Sequence, residues 1–142
     1  MKKFLALLAI IATLAACKSK TYSLENLPKS FIEMGNFGGF AGSTESFYLF
    51  PNGQRLYSHS ISGNKELVSG TKKDFKSILK ELKEMGVMDM TLDQPGNMNY
   101  YLRIKTKKID HKLIWTDGVD VPKELSKYLN NLMMEMSKDP IE

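Results

Sequence analysis

The constraint that most narrows the fold lies between residues 44 and 61. Two alternating runs flank Pro51-Asn52-Gly53, and an Asn-Gly pair accepts the positive φ of a tight hairpin turn. Thr44 to Phe50 places Phe47 and Leu49 on one face and Tyr48 and Phe50 on the other. Gln54 to Ile61 returns with Arg55, Tyr57, His59 and Ile61 opposite Leu56, Ser58 and Ser60. Period-two alternation on both sides of such a turn predicts an antiparallel hairpin, the seed of a sheet.

The remaining pattern builds outward from it. Ser30 to Met34 predicts a preceding strand, and Lys65 to Ser69 a short fourth one. Gly35 to Gly42, holding Phe37 and Phe40, reads as a wide glycine-rich connection. Thr71 to Met85 predicts a helix: Thr71 and Asp74 form a capping-box pair, and Phe75, Ile78, Leu79, Leu82 and Met85 make one apolar stripe. Thr91 to Asn99 reads as a loop around Pro95-Gly96. Tyr100 to Lys105 and Asp110 to Thr116 predict a second hairpin. Its Tyr100, Leu102 and Ile104 oppose Tyr101, Arg103 and Lys105, and its His111, Leu113 and Trp115 share one face. Pro122, favoured at a helix start, opens a last helix with Leu125, Tyr128, Leu129, Leu132, Met133 and Met136 inward. The methionines Met133, Met134 and Met136 read as core fillers. The order β-β-β-(β)-α-β-β-α predicts an α+β two-layer sandwich, an antiparallel sheet of about five or six strands with two helices on one face. Tyr48, Tyr57 and Tyr101 are expected on the other.

The N-terminus carries a different signal. Lys2 and Lys3 precede an apolar run from Phe4 to about Leu14, and Leu14-Ala15-Ala16 leads into Cys17, the only cysteine. A basic start, a short apolar stretch and small residues are the pattern of a secretory signal peptide, too short to span a bilayer. The cysteine after Leu-Ala-Ala resembles the bacterial lipobox. Residues 1–16 are then expected to be removed, Cys17 to be acylated, residues 17–29 to form a flexible tether, and 30–138 a single domain. With Lys2 and Lys3 gone, the formal charge of +4 falls to +2, which argues against nucleic acid as a partner. Lys18, rather than an Asp, follows the cysteine and favours outer-membrane sorting, on the periplasmic or surface side.

No catalytic set emerges. The glycine-rich stretch leads into a strand, not the helix a phosphate cradle needs. His59 and His111 are the only histidines, no second cysteine exists to help bind zinc, and no Gly-x-Ser-x-Gly elbow occurs. No metal or cofactor is expected. Exposed aromatics on a glycine-rich loop instead predict contact with a partner at Phe37, Gly38, Gly39 and Phe40, with Tyr48 and Tyr57 second.

Gly35 to Gly42, the Asn-Gly hairpin, Pro95-Gly96-Asn97-Met98-Asn99-Tyr100 and His111-Lys112-Leu113-Ile114-Trp115 with Val121-Pro122 together resemble small uncharacterised lipoproteins of the Bacteroidetes, single-domain proteins without an established activity. The resemblance covers about Phe31 to Met136. It implies a lipid-anchored envelope protein and transfers no catalytic residues. The expected role is a non-enzymatic, membrane-tethered module that binds an envelope protein or polymer. A hydrolase of envelope polymers with His59 or His111 as base, or a structural spacer, stands as the alternative.

Overall fold

The computed structural model describes residues 20–67 and 69–137. Cys17, its apolar run and the end of the chain after Ser137 lie outside them. Among the described residues seven strands form one sheet: β1 (Phe31–Gly38), β2 (Ser43–Leu49), β3 (Arg55–His59), β4 (Gly63–Leu67), β5 (Asp93–Gln94), β6 (Met98–Lys105) and β7 (Asp110–Thr116). The spatial order is β4-β3-β2-β1-β6-β7-β5. All neighbours are antiparallel except β5, which runs parallel to β7. The α+β sandwich is as the sequence predicts, with a higher strand count because β5 forms within the segment read as a loop. Its two residues pair with Ile114 and Trp115.

Helices α1 (Lys72–Glu84) and α2 (Lys123–Met136) cover one face. The capping box of α1 is present: Asp74 N–H donates to Thr71 Oγ1, and Thr71 N–H to Asp74 Oδ2 at 2.6 Å. Pro122 stands one residue earlier than predicted, as the cap of α2 rather than its first helical residue. Phe75, Ile78 and Leu82 of α1 and Leu125, Leu129, Leu132 and Met136 of α2 meet Ile32, Met34, Phe47, Leu49, Leu102, Ile104 and Leu113 of the sheet in one core. Leu82 is fully buried; truncating such a side chain to Ala costs about 2–5 kcal/mol. Met136 fills the core as expected, whereas Met134 points outward at 66% exposure.

Three sequence expectations change. First, Gly35 to Gly38 is strand, not connection: β1 continues through it, paired to β2 and β6 on both sides. A Cβ on Gly35 would lie 1.9 Å from the Glu45 carbonyl oxygen, so glycine here gives two strands room to approach. Second, Tyr57 faces the helices. It sits opposite Phe47, with ring centroids 5.1 Å apart, and therefore shares the face of Phe47 rather than that of Tyr48. Third, residues 20–29, read as a tether, dock on the domain. Gln54 clamps Tyr22 through two hydrogen bonds of 2.8 Å, and Asn52 Nδ2 donates to the Lys20 carbonyl at 2.7 Å. Tyr22 and Leu24 then join Phe31, Phe50, Leu56 and Tyr48 in a second, smaller apolar cluster on the helix-free face.

Candidate functional site

The strands give the molecule two chemically distinct ends. β1, 8 residues long, spans about 26 Å between them. The docked N-terminal segment, the β2–β3 turn and the β6–β7 turn lie at the end where β1 begins. The β1–β2 and β3–β4 turns lie at the other, the distal end.

Glycine shapes the distal β1–β2 turn. Gly38 has φ +103°, which an L side chain rarely adopts, and a Cβ there would also strike the Asn97 carbonyl. Gly39 N–H donates to that same carbonyl at 2.8 Å. Asn99, buried at 4% exposure, braces the neighbouring loop: its Oδ1 accepts from Gly96 N–H at 2.6 Å and its Nδ2 donates to Gly96 O at 2.9 Å. The turn thus presents Phe40 outward at full exposure (110%). On the adjacent β3–β4 turn Ile61 is 71% exposed. The two turns are joined by Thr44 N–H donating to Ser60 Oγ and Ser60 N–H to Thr44 O, both at 2.9 Å. Isolated exposed apolar residues are ordinary; two on mutually braced turns form a firm apolar tip.

Phe37 does not join Phe40. It lies half-buried in β1 on the helix-free face, 6.0 Å from the Tyr101 ring, with Lys112 Nζ 6.0 Å above it. Tyr48 and Tyr101 occupy that face as expected and bind a shared carboxylate: their hydroxyls donate to Glu33 Oε1 at 3.0 and 2.9 Å. Arg103 grips Asp110 through two bonds of 2.8 Å and approaches Glu33 at 3.7 Å. Burial, with the Glu33 charge second, pushes the Tyr48 hydroxyl up to about 12. Burial moves Tyr101 in the same direction. Both tyrosines therefore remain donors at neutral pH, and the face is a closed hydrogen-bonded network.

The histidines serve the backbone. His59 Nδ1 accepts from Ile61 and Ser62 N–H at 3.2 and 3.1 Å, fixing the β3–β4 turn. His111 Nε2 donates to Val87 O at 2.9 Å. Among the described residues no three His, Cys, Asp or Glu side chains gather closely enough to hold a metal ion, and no helix is long and apolar enough to cross a membrane.

Sequence reasoning missed a cleft of about 640 Å³ between α2 and the distal part of β6 and β7. Tyr100 and Trp115, stacked with centroids 6.2 Å apart, form its floor; Asn130 and Met133 of α2 form a wall, and Asp117 and Val121 the rim. The volume falls in the range of small-ligand sites. Burial and then the Asp117 carboxylate, which accepts from its hydroxyl, raise the pKa of Tyr100. The shared face of Tyr100 and Trp115 is visible in the sequence, but nothing local says that α2 stops short of covering them. A second cleft, of about 370 Å³ between the helices, is lined by Asp74, Glu81 and Glu135 around the buried Arg55.

No family model matches the chain, and neither a curated protein nor a solved structure matches it significantly.

Proposed function

We propose that this chain is a lipid-anchored, non-enzymatic binding module of the bacterial cell envelope, attached through acylated Cys17 on the periplasmic or surface side of the outer membrane. In this reading it uses no cofactor and its partner is an envelope protein or polymer, met at the distal tip. The observation that carries it is the full exposure of Phe40 on a turn whose glycines and cross-bonds hold it outward, far from Lys20. Two exposed apolar side chains, Phe40 and Ile61, on turns that hydrogen bonds tie together offer a partner a ready contact. Ile61 adds apolar area beside Phe40, and the Tyr100–Trp115 cleft opens at the same end. Phe37, beneath Lys112 on the helix-free face, is not part of this tip.

The test is a photocrosslinking residue placed at position 40 or, as control, at the exposed helix position 76 in living cells. A discrete adduct from position 40 alone is expected, and Ile61→Ala should weaken it. Identical adduct patterns from both positions, or none from position 40, would remove the tip from the proposal. Metabolic labelling with a fatty-acid analogue tests the anchor; equal labelling of wild type and Cys17→Ser refutes it.

A further inference from the structure

The end opposite Phe40 carries a charge pattern of its own. β1 begins at Phe31, opposite Lys105, the last residue of β6, and the following turn closes where Thr106 N–H donates to Ile109 O at 2.7 Å. Lys29, Lys105 and Lys107 line one shallow depression with Leu27 and Phe31. Lys29, Lys107 and Lys108 are exposed. Among the described residues no ion pair engages these three, because the nearest strand carboxylate, Asp110, is held by Arg103 at 2.8 Å and Lys105 at 3.4 Å. Glu25 is a further exposed acid of this end, and exposed Asp89 stands two residues past Val87, whose carbonyl binds His111 beside Asp110. Leu27 and Ile109 stand among the lysines at 38% and 42% exposure.

We infer that this end is a docking surface for an anionic phospholipid bilayer, with Lys29, Lys107 and Lys108 meeting headgroup phosphates and Leu27 and Ile109 entering the headgroup boundary. The inference rests on the proposed anchor at Cys17. Lys20, whose carbonyl is tied to Asn52 in the β2–β3 turn, belongs to the same end. Cys17 precedes it by only three residues, so an extended chain keeps the acyl group within about 10 Å of this surface. That is close to one Debye length at physiological salt, so the lysines stay inside the range of the surface potential. Exposed cations interspersed with apolar side chains match the two layers such a boundary offers. Docking here points Phe40 and the cleft away from the membrane.

The experiment footprints lysines by acetylation on the full chain held in nanodiscs, with zwitterionic lipid alone or with added anionic lipid. Lys123 and Lys127, beside the distal cleft, serve as internal controls. In anionic discs the labelling of Lys29, Lys107 and Lys108 should slow about tenfold against the controls. The protection should vanish in zwitterionic discs and at high salt, and in K107E/K108E, a pair of exposed turn positions, it should be lost at the remaining Lys29. Equal labelling of all five lysines in anionic discs overturns the inference. Intact mass of the same protein reports acylation of Cys17 separately. An unmodified Cys17 removes the anchor; coupling that single thiol to a maleimide lipid of the disc then reads the protection independently.

Discussion

Replacing Tyr101 by Phe should destabilise the domain by about 2–4 kcal/mol. The substitution keeps the ring, and with it the contacts to Phe37 and to Lys112 Nζ at 5.0 Å. What it removes is one hydroxyl, buried in a residue only 4% exposed. Tyr101 has a single proton, which it gives to Glu33 Oε1 at 2.9 Å; the 2.6 Å contact with Ser46 must therefore run from Ser46 Oγ–H to Tyr101. Loss of a bond to a charged acceptor costs about 1.5–3 kcal/mol, and a stranded buried hydroxyl about 1–3. The total falls below the full sum because Glu33 keeps Tyr48 at 3.0 Å and Arg103 at 3.7 Å. Urea unfolding followed by the fluorescence of Trp115, the single tryptophan, reads the change. At a slope of about 2 kcal/mol per molar the midpoint should drop by about 1–2 M. Adding Ser46→Ala removes the stranded donor, so the double variant should cost about 1 kcal/mol less than the two singles together. A midpoint shift under 0.3 M with unchanged slope, or strict additivity in the cycle, would refute the chain of donors described here.

Three further outcomes follow from the same geometry. Gly35→Ala forces a methyl to 1.9 Å from the Glu45 carbonyl, so a loss of about 3 kcal/mol or more is expected by urea titration; a near-native midpoint would show that β1 and β2 separate freely. Arg103 holds Asp110 down to about 2 from the usual 3.8. A carboxylate depressed in the folded state contributes stability above its unfolded pKa and loses it as pH falls from about 4 to 2. With 44% of that side chain exposed, solvent screening limits the effect to under about 1 kcal/mol; Asp110→Asn should lose it at pH 7 and flatten the acid limb of a stability–pH curve. Phe40→Ala should leave the stability read by urea unfolding unchanged within about 0.5 kcal/mol while abolishing the adduct of a crosslinker moved to position 61 on the adjacent turn, and a large loss of stability would reassign Phe40 to folding.

What could be read in advance was whatever is encoded locally. The Asn52-Gly53 hairpin, the Thr71–Asp74 cap, the α1 stripe and the opposed faces of β6 and β7 are each set by residues within a few positions of one another, and each formed as predicted. What was illegible depends on distant partners. Gly35 looks like a loop glycine until β2 and β6 close around it. Tyr57 takes its face from the register that sets it opposite Phe47. Residues 20–29 look like a tether because the Gln54 amide that clamps Tyr22 lies 32 positions away. The β5 pairing and the cleft depend on where β7 and α2 meet, which no short window of sequence contains.

The borders of the sheet carry one more consequence. β4 offers Asn64, Lys65 and Glu66 along its exposed length, and β5 at the far side is only 2 residues long. A bare strand edge is a template on which another copy can add its own strands, and charge or brevity blunts it. Proteins held on a bilayer are confined to two dimensions and meet their own copies far more often than in bulk solution. Were this chain anchored as proposed, it would gain from borders that refuse self-templating, and among the described residues neither margin provides a long apolar ladder on which fibrous growth could begin.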